Sequence, residues 1–147
     1  MIKLPPPVLV LILVTSIYFS QNQLEIIYLP YKYSISILIF LFGILTLINP
    51  IIKLIKSKTT VNPIKFVKVN KLVSSGIYKY SRNPMYLGMI LIIISTAIFY
   101  LNFYSIITPF IFYFWINRFQ IKREEIFLKE KFGNEYLLYV SKSRRWI

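Results

Sequence analysis

The 147-residue chain contains no cysteine and no histidine, and it has only five acidic residues. Without cysteine it can form no disulfide bond, offer no thiol nucleophile and build no thiolate metal site. Without histidine, the Ser-His-Asp and Cys-His arrangements of many hydrolases lack their base. So few carboxylates also provide too few ligands for a dedicated metal centre, so we expect no metal site.

Apolar surface and positive charge are what the sequence has in excess. Hydrophobic residues make up 56% of the chain, and the formal net charge is +13. That apolar content exceeds the average of soluble domains. The basic residues lie in blocks between long apolar runs, as in loops that face an anionic inner leaflet. This arrangement favours a membrane protein and argues against a nucleic-acid partner.

Four apolar runs predict an all-α fold, a multi-pass transmembrane helical bundle of about four spans with cytosolic C-terminal helices. We expect one integral membrane domain over residues 1–147, with spans at about 5–22, 33–55, 84–101 and 103–119. A signal peptide is the alternative for the first run. Only Lys3 precedes that run, no small-residue cleavage site follows it, and another span comes next, so we favour a retained span.

The charges of the loops predict the orientation. The segment between the second and third spans has no acidic residue, and its basic residues are Lys53, Lys56, Lys58, Lys65, Lys68, Lys71, Lys79 and Arg82. The loop after the first span has Lys32 against Glu25, and the short loop after the third span is uncharged. The excess of lysine and arginine places both termini and the second loop in the cytosol of a cell-membrane protein. We expect residues 56–70 to be the most flexible stretch.

The first candidate site opens the third span. Asn83 at the N-cap position and Pro84 at the first helical position form a favourable helix start. Such a start presents unpaired N–H groups and the positive end of the helix dipole, which bind a carboxylate or phosphate. Arg82 adds a charge, and Tyr86 lies on the same helix face as Asn83. The alternative is a plain helix start with a snorkelling arginine and an interfacial tyrosine.

The second candidate site follows the fourth span. Gln120 and Glu124 are four residues apart and therefore share a helix face. Charge close to a bilayer is costly and tends to be functional, which makes Glu124 a candidate. The alternative is that Glu124 and Glu125 only form ion pairs with basic neighbours on a solvated helix. For Glu125 we favour this alternative. Those neighbours are Lys122, Arg123 and Lys129.

The tail beyond the fourth span is predicted to be helical. Residues 118–132 form an amphipathic pattern that ends at Gly133, and a second short helix follows. Tyr136 and Tyr139 in this second helix are expected to be packing residues. The closing residues 144–147, Arg-Arg-Trp-Ile, favour an anchor at the membrane interface, unless the tail folds back over a pocket.

Together these segments, in this order and spacing, resemble the isoprenylcysteine carboxyl methyltransferase family and its broader prokaryotic branch. The resemblance covers the C-terminal half of the chain, and the first two spans match only in hydropathy. The matching residues are Leu72-Val-Ser-Ser-Gly-Ile-Tyr78, Arg82-Asn-Pro-Met-Tyr-Leu-Gly88, Glu124-Glu125, Phe132-Gly-Asn-Glu-Tyr136, Tyr139 and Arg144-Arg-Trp-Ile147.

The resemblance implies an integral membrane methyltransferase that moves a methyl group from S-adenosylmethionine to a lipophilic acceptor, for example the carboxylate of an isoprenylcysteine. The implied partners are the lipid bilayer and a lipophilic small molecule or lipidated acceptor. The cofactor would bind on the cytosolic side, between residues 70–86 and 118–147. The implied cofactor-binding residues are Asn70, Lys71, Leu72, Val73, Tyr78, Asn83, Pro84, Met85, Tyr86 and Glu124.

By the same resemblance, the helix start with Asn83 would take the methionyl carboxylate and Glu124 the ammonium group, while tyrosines would line the adenosine. Asn83 stands where the family has histidine, and it keeps the capacity for hydrogen bonding. Gln120 stands where the family has an arginine that contacts the substrate. Gln120 and the nearby Arg118 are therefore the candidates for positioning the acceptor, whose identity stays open.

Two further interpretations remain. The chain could be a non-enzymatic small membrane protein that binds anionic lipid or a membrane partner through its basic face. It could also be a membrane reductase of similar architecture that binds a nicotinamide cofactor. Scrambling the basic loops at constant charge would preserve function only in the non-enzymatic case.

Overall fold

The computed structural model describes residues 4–59 and 69–147. Within these residues the backbone forms helices, two isolated bridges and no β-strand, so the predicted all-α class is confirmed for the described part. Part of the stretch 56–70, which was predicted to be flexible, lies outside the described residues. So do three of the basic residues named above, Lys3, Lys65 and Lys68.

Five α-helices follow one another along the described chain: α1 Pro6–Phe19, α2 Lys32–Lys56, α3 Pro84–Tyr100, α4 Phe103–Ile116 and α5 Lys122–Lys142. The first four lie close to the four predicted spans. Among the described residues, only α2 is both long and apolar enough to cross a membrane by itself, whereas α1 and α3 are apolar but shorter. The number of spans therefore stays a prediction.

The helices α2 and α3 form the most extensive helix–helix contact in the described chain. Small residues let the two backbones approach closely. A β-carbon added to Gly88 of α3 would lie 2.7 Å from the backbone nitrogen of Leu47 and 2.8 Å from the carbonyl oxygen of Gly43. Ser36 Oγ also donates a hydrogen bond of 2.6 Å to the carbonyl of Ser95. These contacts fix α2 against α3.

The helices α3 and α4 form the tight hairpin that their short separation in sequence predicts. Leu101 ends α3 in a left-handed conformation with φ 48°. Asn102 Oδ1 then accepts the N–H of Ser105 at 2.8 Å, and Ser105 Oγ accepts the N–H of Asn102 at 3.1 Å. This reciprocal capping box satisfies two backbone donors and fixes the start of α4.

The first helix packs against this hairpin. Ile17 of α1, Ile93 of α3 and Phe112 of α4 are fully buried in one apolar cluster. In the described residues α1 contacts α3 and α4 but makes very few contacts with α2. The helices α1 and α2 therefore both pack on α3 without forming an extensive contact with each other.

A π-helical turn, Asn117–Ile121, joins α4 to α5. Gly133 interrupts α5 with φ 49° and ψ −120°, at the position where the sequence predicts a helix end. Beyond this break, Tyr136 and Tyr139 are buried in a second cluster with Tyr78. Both pack as predicted, but Tyr139 also lines a cavity at this end of the bundle.

Candidate functional site

The start of α3 is held by the C-terminal tail. Asn83 occupies the N-cap position and Pro84 follows it, as predicted. The Asn83 side chain does not cap the helix, however, because its backbone (φ −128°, ψ 49°) lies outside the β region in which capping residues normally sit. Its Nδ2 instead donates a hydrogen bond of 2.9 Å to the carbonyl of Arg145. The N–H groups of the first turn are therefore not capped by Asn83.

Tyr86, near the start of α3, meets Glu124 in the first turn of α5. Tyr86 Oη donates to Glu124 Oε1 at 2.5 Å, and Gln120 Nε2 donates to the same oxygen at 2.7 Å. Gln120 is buried within the π-helical turn, a conformation that is frequent at functional sites. Two segments that are 38 residues apart in sequence thus meet at one carboxylate.

Burial dominates the electrostatics of this group. It raises the pKa of Glu124 from 4.5 to about 7, although the hydrogen bonds from Tyr86 and Gln120 act in the opposite direction. Burial also raises the pKa of the Tyr78 hydroxyl, which therefore stays neutral at physiological pH. Glu124 is consequently a group that changes its charge near neutral pH.

A cavity of about 450 Å³ lies between the start of α3, the start of α5 and the loop that precedes α3. Its volume is within the range of small-molecule sites, and its wall is mostly apolar, as in such sites. Nine of the ten residues predicted to bind a cofactor line this cavity: Lys71, Leu72, Val73, Tyr78, Asn83, Pro84, Met85, Tyr86 and Glu124.

The remaining predicted residues lie outside the wall. Asn70 is exposed, and its backbone N–H donates to Thr59 Oγ1 at 3.3 Å. Gln120 lies behind the wall and donates a hydrogen bond to Glu124, which lines it. Arg118 is exposed and does not contribute to the wall. Of the two residues proposed to position an acceptor, Gln120 is therefore the one near the cavity.

Sequence reasoning missed the part of the wall that α1 and α2 supply. Pro6 and Val10 come from α1, and Leu47, Ile51 and Leu54 come from α2. The apolar residues of these helices are spread around most of the circumference, so hydrophobic periodicity does not single out the inner face. A signal was nevertheless present in α2, because small and polar residues mark helix contacts in membranes. Those buried in α2 are Ser36, Gly43, Thr46 and Pro50.

The C-terminal tail folds back over the end of the bundle. The sequence left two arrangements open for this tail, an anchor at the membrane interface or a tail folded back over a pocket, and the structure has the second. Arg144 N donates to the carbonyl of Tyr80 at 3.1 Å, and Arg82 N donates to the carbonyl of Arg144 at 2.9 Å. Trp146 Nε1 donates to Asn117 Oδ1 at 3.3 Å. The tail is therefore part of the structure around the cavity.

Glu125 is ion-paired, as the sequence suggests, but over a longer range. Its Oε1 lies 3.5 Å from Arg82 Nη2, and its Oε2 lies 2.5 Å from Arg145 Nη2. The partners predicted from the sequence, Lys122, Arg123 and Lys129, all lie on the same helix as Glu125. This carboxylate instead ties α5 to the tail and to the segment before α3.

Comparison with known proteins identifies relatives. The family model described as phospholipid methyltransferase matches residues 31–135, a range that includes both Tyr86 and Glu124. A protein of Haemophilus influenzae (strain ATCC 51907 / DSM 11121 / KW20 / Rd), named "Uncharacterized protein", is 43% identical over 63 residues. That alignment covers 43% of this chain and all of the Haemophilus protein.

Proposed function

The chain belongs to the phospholipid methyltransferase family, and from this premise we propose that it transfers a methyl group from S-adenosylmethionine to a lipophilic acceptor. Membership supports methyl transfer at a membrane. The observation that carries the proposal is the cavity in which Tyr86, Glu124 and the start of α3 meet. The methyl donor is a zwitterion attached to a nucleoside, and these groups offer complementary contacts.

The residues of the cavity fit such a donor. The first turn of α3 offers backbone N–H groups and a positive dipole end to the carboxylate of the donor. Glu124 offers a carboxylate to its ammonium group, and gaining that partner favours the ionised form of Glu124. Tyr78 and the apolar wall offer ring and aliphatic surface to the adenosine. The volume of about 450 Å³ suits one ligand of this size.

The proposed reaction needs little chemistry from the protein. When bound, S-adenosylmethionine would supply a methyl carbon to the acceptor atom, and the electron pair of the broken carbon–sulfur bond would remain on sulfur. Glu124, held by Tyr86 and Gln120, orients the donor for in-line attack, and such alignment is a major source of rate enhancement. The apolar wall excludes bulk water. An acceptor that is already ionised, such as a carboxylate, requires no general base.

We propose that the acceptor approaches from the bilayer between α1 and α2. Both helices contribute apolar side chains to the cavity, among them Val10 and Ile51. The slight contact between the two helices in the described chain supports a lateral route between them. A cavity that holds the donor has no room for a long apolar chain, so most of the acceptor would stay among the lipids.

We further propose a single membrane domain over residues 1–147 with about four spans and with both termini and the cavity in the cytosol. The length and hydropathy of α2 support this topology, as does the apolar character of α1 and α3. The basic residues around the end of α2 and the start of α3 lie at the same end of the bundle as the cavity, which agrees with a cytosolic site.

Calorimetry in detergent tests the site directly. We expect the wild-type protein to bind S-adenosylmethionine and Glu124→Ala to bind it about 10- to 100-fold more weakly, because a hydrogen bond to a charged group contributes about 1.5–3 kcal/mol. Glu130→Ala, at an exposed position of α5, is the matched control and should bind as the wild type does. Equal binding by all three proteins would remove the proposed site, and binding by none would favour a non-enzymatic protein. Incubating membranes with methyl-labelled donor would then identify the acceptor.

A further inference from the structure

The last five residues, 143–147, cross the end of the bundle, and we call them the strap. Besides the two backbone hydrogen bonds described above, two side chains fasten the strap to the segment before α3. Arg82 Nη1 donates to the carbonyl of Ser143 at 2.5 Å, and Asn83 Nδ2 donates to the carbonyl of Arg145 at 2.9 Å. The strap is therefore attached to the segment before α3, which forms one side of the cavity wall and continues into the helix that carries Tyr86.

The strap is also attached to the side of the cavity wall that is formed by the start of α5. Arg145 donates two hydrogen bonds to Glu125, with distances of 3.0 Å from Nε to Oε1 and 2.5 Å from Nη2 to Oε2. Trp146 is bound to Asn117, where α4 gives way to the π-helical turn. Glu125 directly follows Glu124, so the strap contacts the turn of α5 that carries Glu124.

A single exposed ion pair would contribute little to this arrangement, because water and salt screen it. The side chain of Arg145 is 42% exposed, but that of Glu125 is only 21% exposed. The pair is bidentate and belongs to a network with the carbonyls of the strap, and such networks hold geometry better than isolated pairs. The strap thus links the two halves of the wall from outside the cavity.

We propose that the strap sets the position of Glu124 relative to the start of α3, and that Asn83, Glu125 and Arg145 are positioning residues for the methyl donor. The proposal rests on the proposed function and refines it. Asn83 lines the cavity, and its Nδ2 is bonded to the strap, so the strap also holds the Asn83 side chain in place. A displacement of about 1 Å in such a site can cost about 100-fold in rate, so loss of the strap should affect donor use without removing a donor contact.

The test combines donor binding with a reporter on the strap. The chain has two tryptophans, so Trp115→Phe leaves Trp146 as the single fluorescent tryptophan. In this background we expect Glu125→Gln to increase acrylamide quenching of Trp146 and to raise the Kd for S-adenosylmethionine about tenfold. The matched control Glu130→Gln should change neither quantity.

Two arginine variants examine the link between strap and site. Arg145→Gln should behave like Glu125→Gln, whereas Arg145→Lys, which keeps the charge but loses the bidentate geometry, should restore part of the donor affinity. The double variant Glu125→Gln/Arg145→Gln should bind the donor no more weakly than either single variant, because both remove the same interaction. If Glu125→Gln fails to fold, the two arginine variants provide the same comparison.

Two outcomes would overturn the proposal. If the variants expose Trp146 to quencher while the donor binds as tightly as before, the strap is not coupled to the cavity, and the proposed function stands alone. If the wild-type protein does not bind S-adenosylmethionine, the proposed function fails and this refinement fails with it. Quenching of Trp146 would still report whether the strap is attached, so the two failures are distinguishable.

Discussion

Glu124 combines two opposing influences in one side chain. Hydrogen bonds from Tyr86 and Gln120 stabilise the ionised carboxylate, whereas the loss of water destabilises it, and the second effect is the larger because the pKa rises to about 7. Near neutral pH the group is then divided between its two forms. A cationic ligand in the cavity would shift it to the ionised form, so binding of such a ligand should release protons and become tighter as the pH rises.

The raised pKa also predicts how stability depends on pH without any ligand. Between about pH 4.5 and pH 7 the folded protein holds a proton on Glu124 that the unfolded chain has released. This contribution to stability is therefore fully present below about pH 4.5 and is lost as the pH rises through about 7. We expect the thermal unfolding temperature of the wild type in detergent to fall relative to that of Glu124→Gln across this range. The loss should correspond to at most about 3 kcal/mol, and parallel pH profiles for the two proteins would contradict the prediction.

At the scale of the elements, the contact between α2 and α3 depends on two glycines. Helices that lie in a membrane gain little from burying apolar side chains against each other, so close backbone approach matters more. A β-carbon at Gly88 would meet only backbone atoms of α2 at under 3.0 Å, whereas the neighbours of one at Gly43 are two side-chain atoms and one backbone atom of α3, all at 3.2 Å. The two positions should therefore differ in their tolerance of a methyl group.

We expect Gly88→Ala to destabilise the protein by about 1–3 kcal/mol, because α2 must move to accommodate the new β-carbon. Its nearest neighbours would be the backbone nitrogen of Leu47 at 2.7 Å and the carbonyl oxygen of Gly43 at 2.8 Å. Gly43→Ala should cost less, since the nearest atoms there lie at 3.2 Å. Thermal unfolding in detergent measures both variants, and an equal loss in the two would show that the backbone contact does not decide the effect.

The positions of the helices were largely predictable, because their ends carry strong local signals. Pro84 and Asn102 begin helices where such residues normally stand, and Gly133 ends one. The apolar runs between these ends are too long and continuous for turns. The π-helical turn that holds Gln120 was not predicted, since it has no comparable signal in sequence and depends on the packing around it.

The candidate site was partly predictable for a different reason. Acidic residues are so few that Glu124 stood out beside a predicted span, and the matching segments pointed to Tyr86. The match to the phospholipid methyltransferase family confirms the predicted relationship. The strap was not predicted as such, because two arginines and Trp146 could equally bind lipid headgroups or protein groups. Only the fold decides between these partners.

At the scale of the whole molecule, the separate segments of the cavity wall share one feature. They come from the start of α1, the end of α2, the loop before α3 and the starts of α3 and α5, and all of these lie at the end of the bundle that the strap crosses. Basic residues are concentrated in the same segments, whereas the opposite end has few charges. The positive-inside rule therefore predicts the side of the membrane on which the cavity lies.

Single introduced cysteines test this orientation without background, because the chain has no native cysteine. Gln21, Lys79 and Ser141 are exposed positions, the first between α1 and α2 and the other two at the end with the cavity. In intact cells we expect a membrane-impermeant maleimide to label Gln21→Cys. Lys79→Cys and Ser141→Cys should be labelled only after permeabilisation. Because Arg82 is hydrogen-bonded to the strap, Lys79 and Ser141 lie at the same end of the bundle. They are therefore on the same side of the membrane, whichever way the protein is oriented. A split between them would contradict the fold, whereas reversal of all three would contradict only the cytosolic placement of the cavity.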